Sequence, residues 1–362
     1  MNRDYKILYL EDQSTESICK ELTGQGLRVV TINVEDDDEV DKALANRSFQ
    51  AFLMDYRLTS KQGKRDAPEL AGRLRTQAKM GEQAIESPII LITEESQLRL
   101  LKLPQENQNL FDYLMPKKAF LDNAPWSAEI ISSFIETYDV IKTNKEDLST
   151  ILGIKEGEKN VLIDYRLETE YERLKEDVFA SSHFLFNYFV RSTGSLIDDA
   201  VLTARFGIDK EKSGEAWDSL KKILKDEGCQ YQGIMHKAYP KWWMQRVKAW
   251  WEKAVPEIKS FRYVSAEERV GMLNKKTGLK LAVAEPIDDD MSHEYWNICI
   301  ATGKPLDPAD GYICNRRFKR EWEENEYISL KGALDHPNFQ EYLSKIDRKD
   351  ILAYGQQVSS NK

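Results

Sequence analysis

The four residues Ala51 to Met54, Ala-Phe-Leu-Met, are wholly apolar, and Asp55 comes directly after them. A short unbroken apolar run suits a strand buried on both faces, which is how strands sit in a parallel sheet covered by helices. A carboxylate at the end of such a strand falls where open α/β sheets place their chemistry. The competing reading is that Asp55 only caps the next segment. The surrounding 140 residues decide between the two.

Those residues alternate strand and helix signals. Lys6 to Leu10 predicts a first strand, ending in the adjacent acids Glu11 and Asp12. Ser14 to Thr23 predicts a helix, stopped by the glycines at 24 and 26. Leu27 to Val34 predicts a second strand rich in β-branched residues. The acidic run Glu35 to Glu39 reads as a solvated loop and helix start, and Val40 to Ser48 as a second helix. After the Asp55 strand, Thr59 to Asp66 reads as a long polar loop and Ala67 to Lys79 as a third helix with Leu70 and Leu74 inward. Pro88 to Thr93 predicts a fourth strand and Phe111 to Lys117 a fifth. Between them, Glu94 to Asn109 is polar with crowded leucines, which predicts a short or irregular helix. Ser127 to Ile141 closes the region as an amphipathic helix. Five strands alternating with helices predict a doubly wound five-stranded parallel sheet.

Parallel strands would bring Glu11, Asp12, Asp55, Thr93 and Lys117 to one rim. Carboxylates that close repel one another unless a hard cation sits between them, and Mg²⁺ suits oxygen ligands with retained waters. A carboxylate there can attack phosphorus and become an aspartyl phosphate. A lysine ammonium would balance the phosphoryl charge, and a threonine hydroxyl can hydrogen-bond a phosphoryl oxygen.

Glu11-Asp12, Asp55, Thr93 and Lys117, in that order on successive strand ends, resemble the receiver domain of two-component response regulators, over about residues 4–141. The resemblance implies a flavodoxin-like fold, Mg²⁺ held by Glu11, Asp12, Asp55 and the backbone carbonyl of Arg57, and phosphotransfer to Asp55 from a histidine kinase or phosphotransfer protein. It also implies a switch through Thr93, Lys117 and Tyr113, and a homodimer through the receiver. Two departures stand out. Tyr56-Arg57-Leu58-Thr59-Ser60 replaces the Met-Pro-Gly usual after the phosphoacceptor. Pro116 precedes Lys117 where the family has lysine before proline. If Tyr113 matches the usual fifth-strand aromatic, the lysine falls one place late, which leaves three readings: a bulge that restores Lys117, the use of Lys118 instead, or a partly degenerate site. These departures favour an alternative in which the fold is a non-phosphorylated docking module. The intact acidic trio argues against it.

The rest of the 362 residues is less legible. Its expected order is a linker at 143–160, a helical output region at 161–290, a small α+β unit at 291–355 and a disordered tail from Gln356. Leu196 to Leu224 could form a helix-turn-helix, the basis of a DNA-binding alternative, although Glu215, Asp218, Lys221 and Lys222 make no evident phosphate-binding face. His236 to Tyr263 interleaves tryptophans with basic residues. Helical spacing places Trp243, Val247, Trp250, Ala254 and Ile258 on one apolar face. Trp242, Arg246, Lys248 and Lys253, with Lys241 close by, are left as a possible nucleic-acid or partner surface. A hairpin is expected from Tyr295 to Cys314, and broken helix from Phe318 to Leu343. His293, Cys299, Cys314 and His336 have zinc-compatible chemistry without finger-like spacing, so buried structural thiols are the expectation.

Composition narrows the function class. Net charge is −9, and residues 1–140 carry 17 basic against 24 acidic residues, so bulk charge does not mark a nucleic-acid module. Four scattered cysteines, no visible secretory signal and no apolar run of membrane length suggest a cytoplasmic protein, and the resemblance implies bacterial signalling. No dedicated enzyme motif is evident in residues 145–362. The expected output is therefore control through protein contacts.

Overall fold

The computed structural model describes residues 4–60, 63–79, 86–94 and 110–360. Contacts divide the chain into two compact units. The first comprises 1–155, Glu168–Phe186 and Gly233–Tyr239; the second comprises Glu156–Leu167, Asn187–Gln232 and Pro240–Lys362. Packing of the first unit therefore continues past residue 142.

The first unit is built on a five-stranded sheet whose pairings are all parallel: β1 (Lys6–Leu10), β2 (Arg28–Thr31), β3 (Ala51–Met54), β6 (Ile89–Thr93) and β7 (Tyr113–Pro116), in the order β2-β1-β3-β6-β7. Two more strands, β4 (Arg57–Ser60) and β5 (Gly63–Asp66), form a separate antiparallel hairpin. This hairpin stands in place of the expected long polar loop. Its polar sequence lacks the apolar alternation that announces a strand. Helices α1 (Glu16–Gly24), α2 (Asp37–Leu44), α3 (Ala67–Lys79), α4 (Lys117–Asp122) and α5 (Ala124–Asn144) complete the flavodoxin-like fold. Every residue of β3 and β6 is buried, as unbroken apolar runs require. Leu8, Leu10, Phe52, Met54, Ile89 and Leu91 pack on one face with residues of α2 and α3. Leu98 and its neighbours, and the irregular helix expected over 94–109, fall almost wholly outside the described residues.

One buried network fastens the far end of the sheet. Asp112, just before β7, accepts from Arg75 Nη2 at 2.7 Å, from the Tyr138 hydroxyl at 2.8 Å and from the Ile89 amide at 2.8 Å. The Arg75 guanidinium also lies 3.7 Å over the ring of Phe179. Phe179 belongs to the helix Val178–Leu185, which packs against α5.

The second unit is mainly helical with strands of two to four residues. Its centre is a cluster that includes Phe206, Trp217, Trp250, Trp251, Phe261 and Trp296. Two fully buried arginines run through it. Arg269 donates to the carbonyls of Val264, Arg205 and Tyr295 at 2.7–2.9 Å, and Arg205 pairs with Glu324 at 2.6 Å. A second cluster gathers Cys299, Leu306, Cys314, Ile328 and Ile351.

Several expectations for this unit are corrected. The helices Asp199–Phe206 and Glu215–Asp226 are not joined by a single tight turn. Gly207 ends the first at φ +75°, Ile208–Asp209 then pairs with Ala282–Val283, and Lys210–Ser213 adds a helical turn. This is not a helix-turn-helix connection. An added Cβ at Gly207 would lie 2.5 Å from Ala266 Cβ, so close packing as well as φ demands glycine there. The expected hairpin to Cys314 re-pairs. Asn297–Ile298 joins Pro305–Leu306, while Gly311–Cys314 joins Glu326–Ser329 inside the stretch expected to be helical. The helix Lys345–Ser360 occupies the start of the expected disordered tail.

Candidate functional site

The strand order reverses between β1 and β3, which places their carboxyl ends at the switch point of the sheet. Glu11 and Asp12 come directly after β1, and Asp55 directly after β3, its amide donating to Leu10 O at 2.9 Å. Carboxylate oxygens of Glu11, Asp12 and Asp55 lie within 4.8 Å of one another. Glu11 and Asp55 are buried, at 5% and 7% exposure, and Asp12 is exposed. Among the described residues no other group of three such side chains is so placed.

Of the two candidate lysines, Lys117 is the one that lies against the acids. Its Nζ lies 2.5 Å from Glu11 Oε2 and 3.2 Å from Asp55 Oδ1. The register of β7 against β6 runs unbroken from Tyr113 to Pro116, so no bulge is needed. Lys117 reaches the acids as the first residue of α4, directly after Pro116. Lys118 is exposed. Burial works against the charge on Lys117, but the hydrogen bond to Glu11 and the charges of Asp55 and Glu11 outweigh it and raise its pKa. Burial also pushes the Glu11 carboxyl up; the Lys117 hydrogen bond opposes that shift and the Asp55 charge adds to it. Asp55 Oδ1 is buried without a well-aligned hydrogen bond. An under-satisfied carboxylate oxygen among three acids is the environment a hard divalent cation completes, so the residues present fit Mg²⁺.

Thr93 ends β6, beside β3, and is 1% exposed. Arg57 opens the hairpin two residues after Asp55, with its side chain exposed. Tyr9 is a member of the site that sequence reasoning missed. Its hydroxyl donates to Glu11 Oε2 at 3.0 Å, and the only signal is its place two residues before Glu11 on β1. Tyr113 begins β7 rather than standing at the acidic rim.

The basic and aromatic candidates of the second unit are largely inward. Trp242, expected on the solvated side, is 4% exposed, on a two-residue strand paired with Leu196–Ile197, and its Nε1 donates to Asp199 at 2.6 Å. Trp243, Trp250 and Trp251 are also buried. Lys241 is buried and lies 3.4 Å from Asp198. Arg246 is held by Glu158 and the Gly228 carbonyl, and Lys253 by Glu227 at 3.2 Å. Lys248 is half-buried, with its pKa lowered by burial and by Arg205. No exposed stacking platform remains at these tryptophans. Cys299 and Cys314 are buried, and among the described residues they form no metal-ligand group with His293 and His336.

Solved structures similar to part of this chain include receiver domains. A response regulator receiver domain protein from Clostridium thermocellum is 18% identical, with a TM-score of 0.27, over 35% of this chain and 93% of its own. The HemR receiver domain from Leptospira biflexa is 21% identical, with a TM-score of 0.26, over 34% of this chain and 94% of its own. The receiver domain of a sensor histidine kinase from Pseudomonas aeruginosa, described with magnesium in its active site cleft, is 21% identical, with a TM-score of 0.26, over 37% of this chain and 99% of its own. No family model matches the chain, and no curated protein matches it. No helix among the described residues is long and apolar enough to cross a membrane.

Proposed function

We propose that this chain is a response regulator of a phosphorelay, in which Asp55 accepts a phosphoryl group from a histidine kinase or phosphotransfer protein and the second unit carries the output. The observation that supports this most is Lys117 Nζ lying between Glu11 and Asp55 at the switch point of a parallel sheet. In the transfer an Asp55 oxygen forms the new bond to phosphorus, the phosphorus–nitrogen bond of the donor breaks, and the departing imidazole keeps the bonding pair and takes a proton from solvent. Glu11, Asp12 and Asp55, with the Arg57 carbonyl, would hold Mg²⁺, which when bound supplies charge neutralisation for the incoming group. Lys117 is placed to exchange its carboxylate contacts for phosphoryl oxygens. Thr93 offers a hydroxyl to the same group.

Protein contacts are the favoured output, because the interleaved tryptophans and basic residues are buried or ion-paired rather than set out as a nucleic-acid face. A cytoplasmic setting fits four cysteines that form no disulfide.

Adding Mg²⁺ with beryllofluoride, a phosphoryl mimic, should raise the melting temperature by about 5 °C at a hundredfold excess over Kd. Glu11→Gln should reduce that shift. Protons compete for Glu11, whose pKa is raised, so the stabilisation should shrink as pH falls, starting above the usual glutamate range. No shift at any pH in a folded wild-type protein would contradict the reading.

A further inference from the structure

We infer that Gly233–Tyr239 is a latch on the receiver, held by Tyr113 and Trp126 and released when Asp55 is phosphorylated. The inference rests on the reading of Asp55 given above and adds how its state reaches the chain beyond residue 240.

Gly233–Tyr239 belongs to the same compact unit as the parallel sheet, whereas the chain from Pro240 onward belongs to the second unit. Three side chains of the receiver grip it. The Tyr239 hydroxyl donates to the Tyr113 hydroxyl at 3.0 Å. Trp126 Nε1 donates to Ala238 O at 3.2 Å. Glu136 takes Lys237 Nζ on both oxygens, at 2.9 and 2.7 Å. The Tyr239 ring packs 5.1 Å from Phe186 and 6.2 Å from Trp126, and Tyr113 packs against Trp126, Phe134 and Phe186 at 6.0–6.4 Å. The segment itself is a tight turn. The Tyr239 amide donates to Met235 O at 2.8 Å, and Met235 has φ +62°, the one positive φ at a non-glycine among the described residues. A methionine in that region persists only while its surroundings hold it.

The site lysine lies between the two tethers in sequence. Lys117 is four residues after Tyr113 and nine before Trp126. β7 joins it to the first, and α4 with the Asn123 cap joins it to the second. With Asp55 unmodified, Lys117 is held by two carboxylates. A phosphoryl group on Asp55 carries the acceptor oxygens further from the strand end, and Lys117 moves with them. That motion pulls on both tethers at once. A hydrogen bond of 3.0 Å is lost when its atoms part by about 1 Å, so a small displacement is enough. While the latch is closed, the β7–α5 surface around Tyr113 is covered by the chain itself and is not open to a second receiver.

The test uses the full chain and measures, in one sample, the phosphoryl adduct by intact mass and hydrogen exchange of the 233–239 amides. Acetyl phosphate with Mg²⁺ should speed that exchange about tenfold in wild type and leave Asp55→Asn unchanged. Tyr239→Phe, which keeps the ring and loses the hydroxyl, should exchange faster before any phosphodonor is added. An adduct on Asp55 with unchanged exchange at 233–239 would overturn the latch and spare the phosphorelay. Tyr239→Phe exchanging like wild type would also overturn it. Failure to form any adduct would overturn both.

Discussion

Asp112→Ala should destabilise the first unit by about 3–5 kcal/mol, a large fraction of the whole stability of a domain this size. Asp112 has a fully buried carboxylate, and three buried donors converge on it: the Arg75 guanidinium, the Tyr138 hydroxyl and the Ile89 amide. Alanine leaves all three without their partner, and the guanidinium is a charge that water does not reach. The cost of the lost contact is smaller than the cost of that stranded charge. Asp112→Asn keeps an acceptor and should lose less. Urea unfolding, read by hydrogen exchange of β6 amides, measures both. If Asp112→Ala fell within about 1 kcal/mol of wild type, the network would be a packing detail rather than a fastening of β6 and β7.

Lys117→Ala should have two opposed effects. Without metal it removes the cation that faces both Glu11 and Asp55, and two buried carboxylates are left facing each other. We expect a loss of about 3 kcal/mol, the lower range for breaking a buried pair, since the lysine is itself partly exposed. Added Mg²⁺ should then stabilise the variant more than wild type, because the cation takes over the balance of charge. The rate of phosphorylation should nevertheless fall by about a hundredfold, as it does when a preorganised donor to a developing anion is lost. Melting curves with and without Mg²⁺, and a time course of adduct formation, separate the two effects. An unchanged phosphorylation rate would remove Lys117 from the chemistry.

How far the sequence can be read depends on strand length. The inner strands Ala51–Met54 and Ile89–Thr93 are buried along their whole length, so they stand out as apolar runs, and the polar residues that end them are visible without any fold. Lys117 is harder to place, because the order of Pro116 and Lys117 suggests a shifted register. The register is regular, and α4 supplies the missing reach. Most strands of the second unit are two residues long, too short for periodicity to register. Trp242 shows the consequence: helical spacing puts it outside, yet a two-residue pairing with Leu196–Ile197 buries it. The Tyr113–Tyr239 contact joins residues 126 apart and leaves no local pattern at all.

The central claim is that Asp55 accepts a phosphoryl group. It is tested most directly by incubating the full chain with Mg²⁺ and acetyl phosphate and recording intact mass for wild type and Asp55→Asn. The account predicts one phosphate adduct on the wild type, dependent on Mg²⁺, and none on the variant. A folded wild type without an adduct, or an adduct that survives in Asp55→Asn, would contradict it.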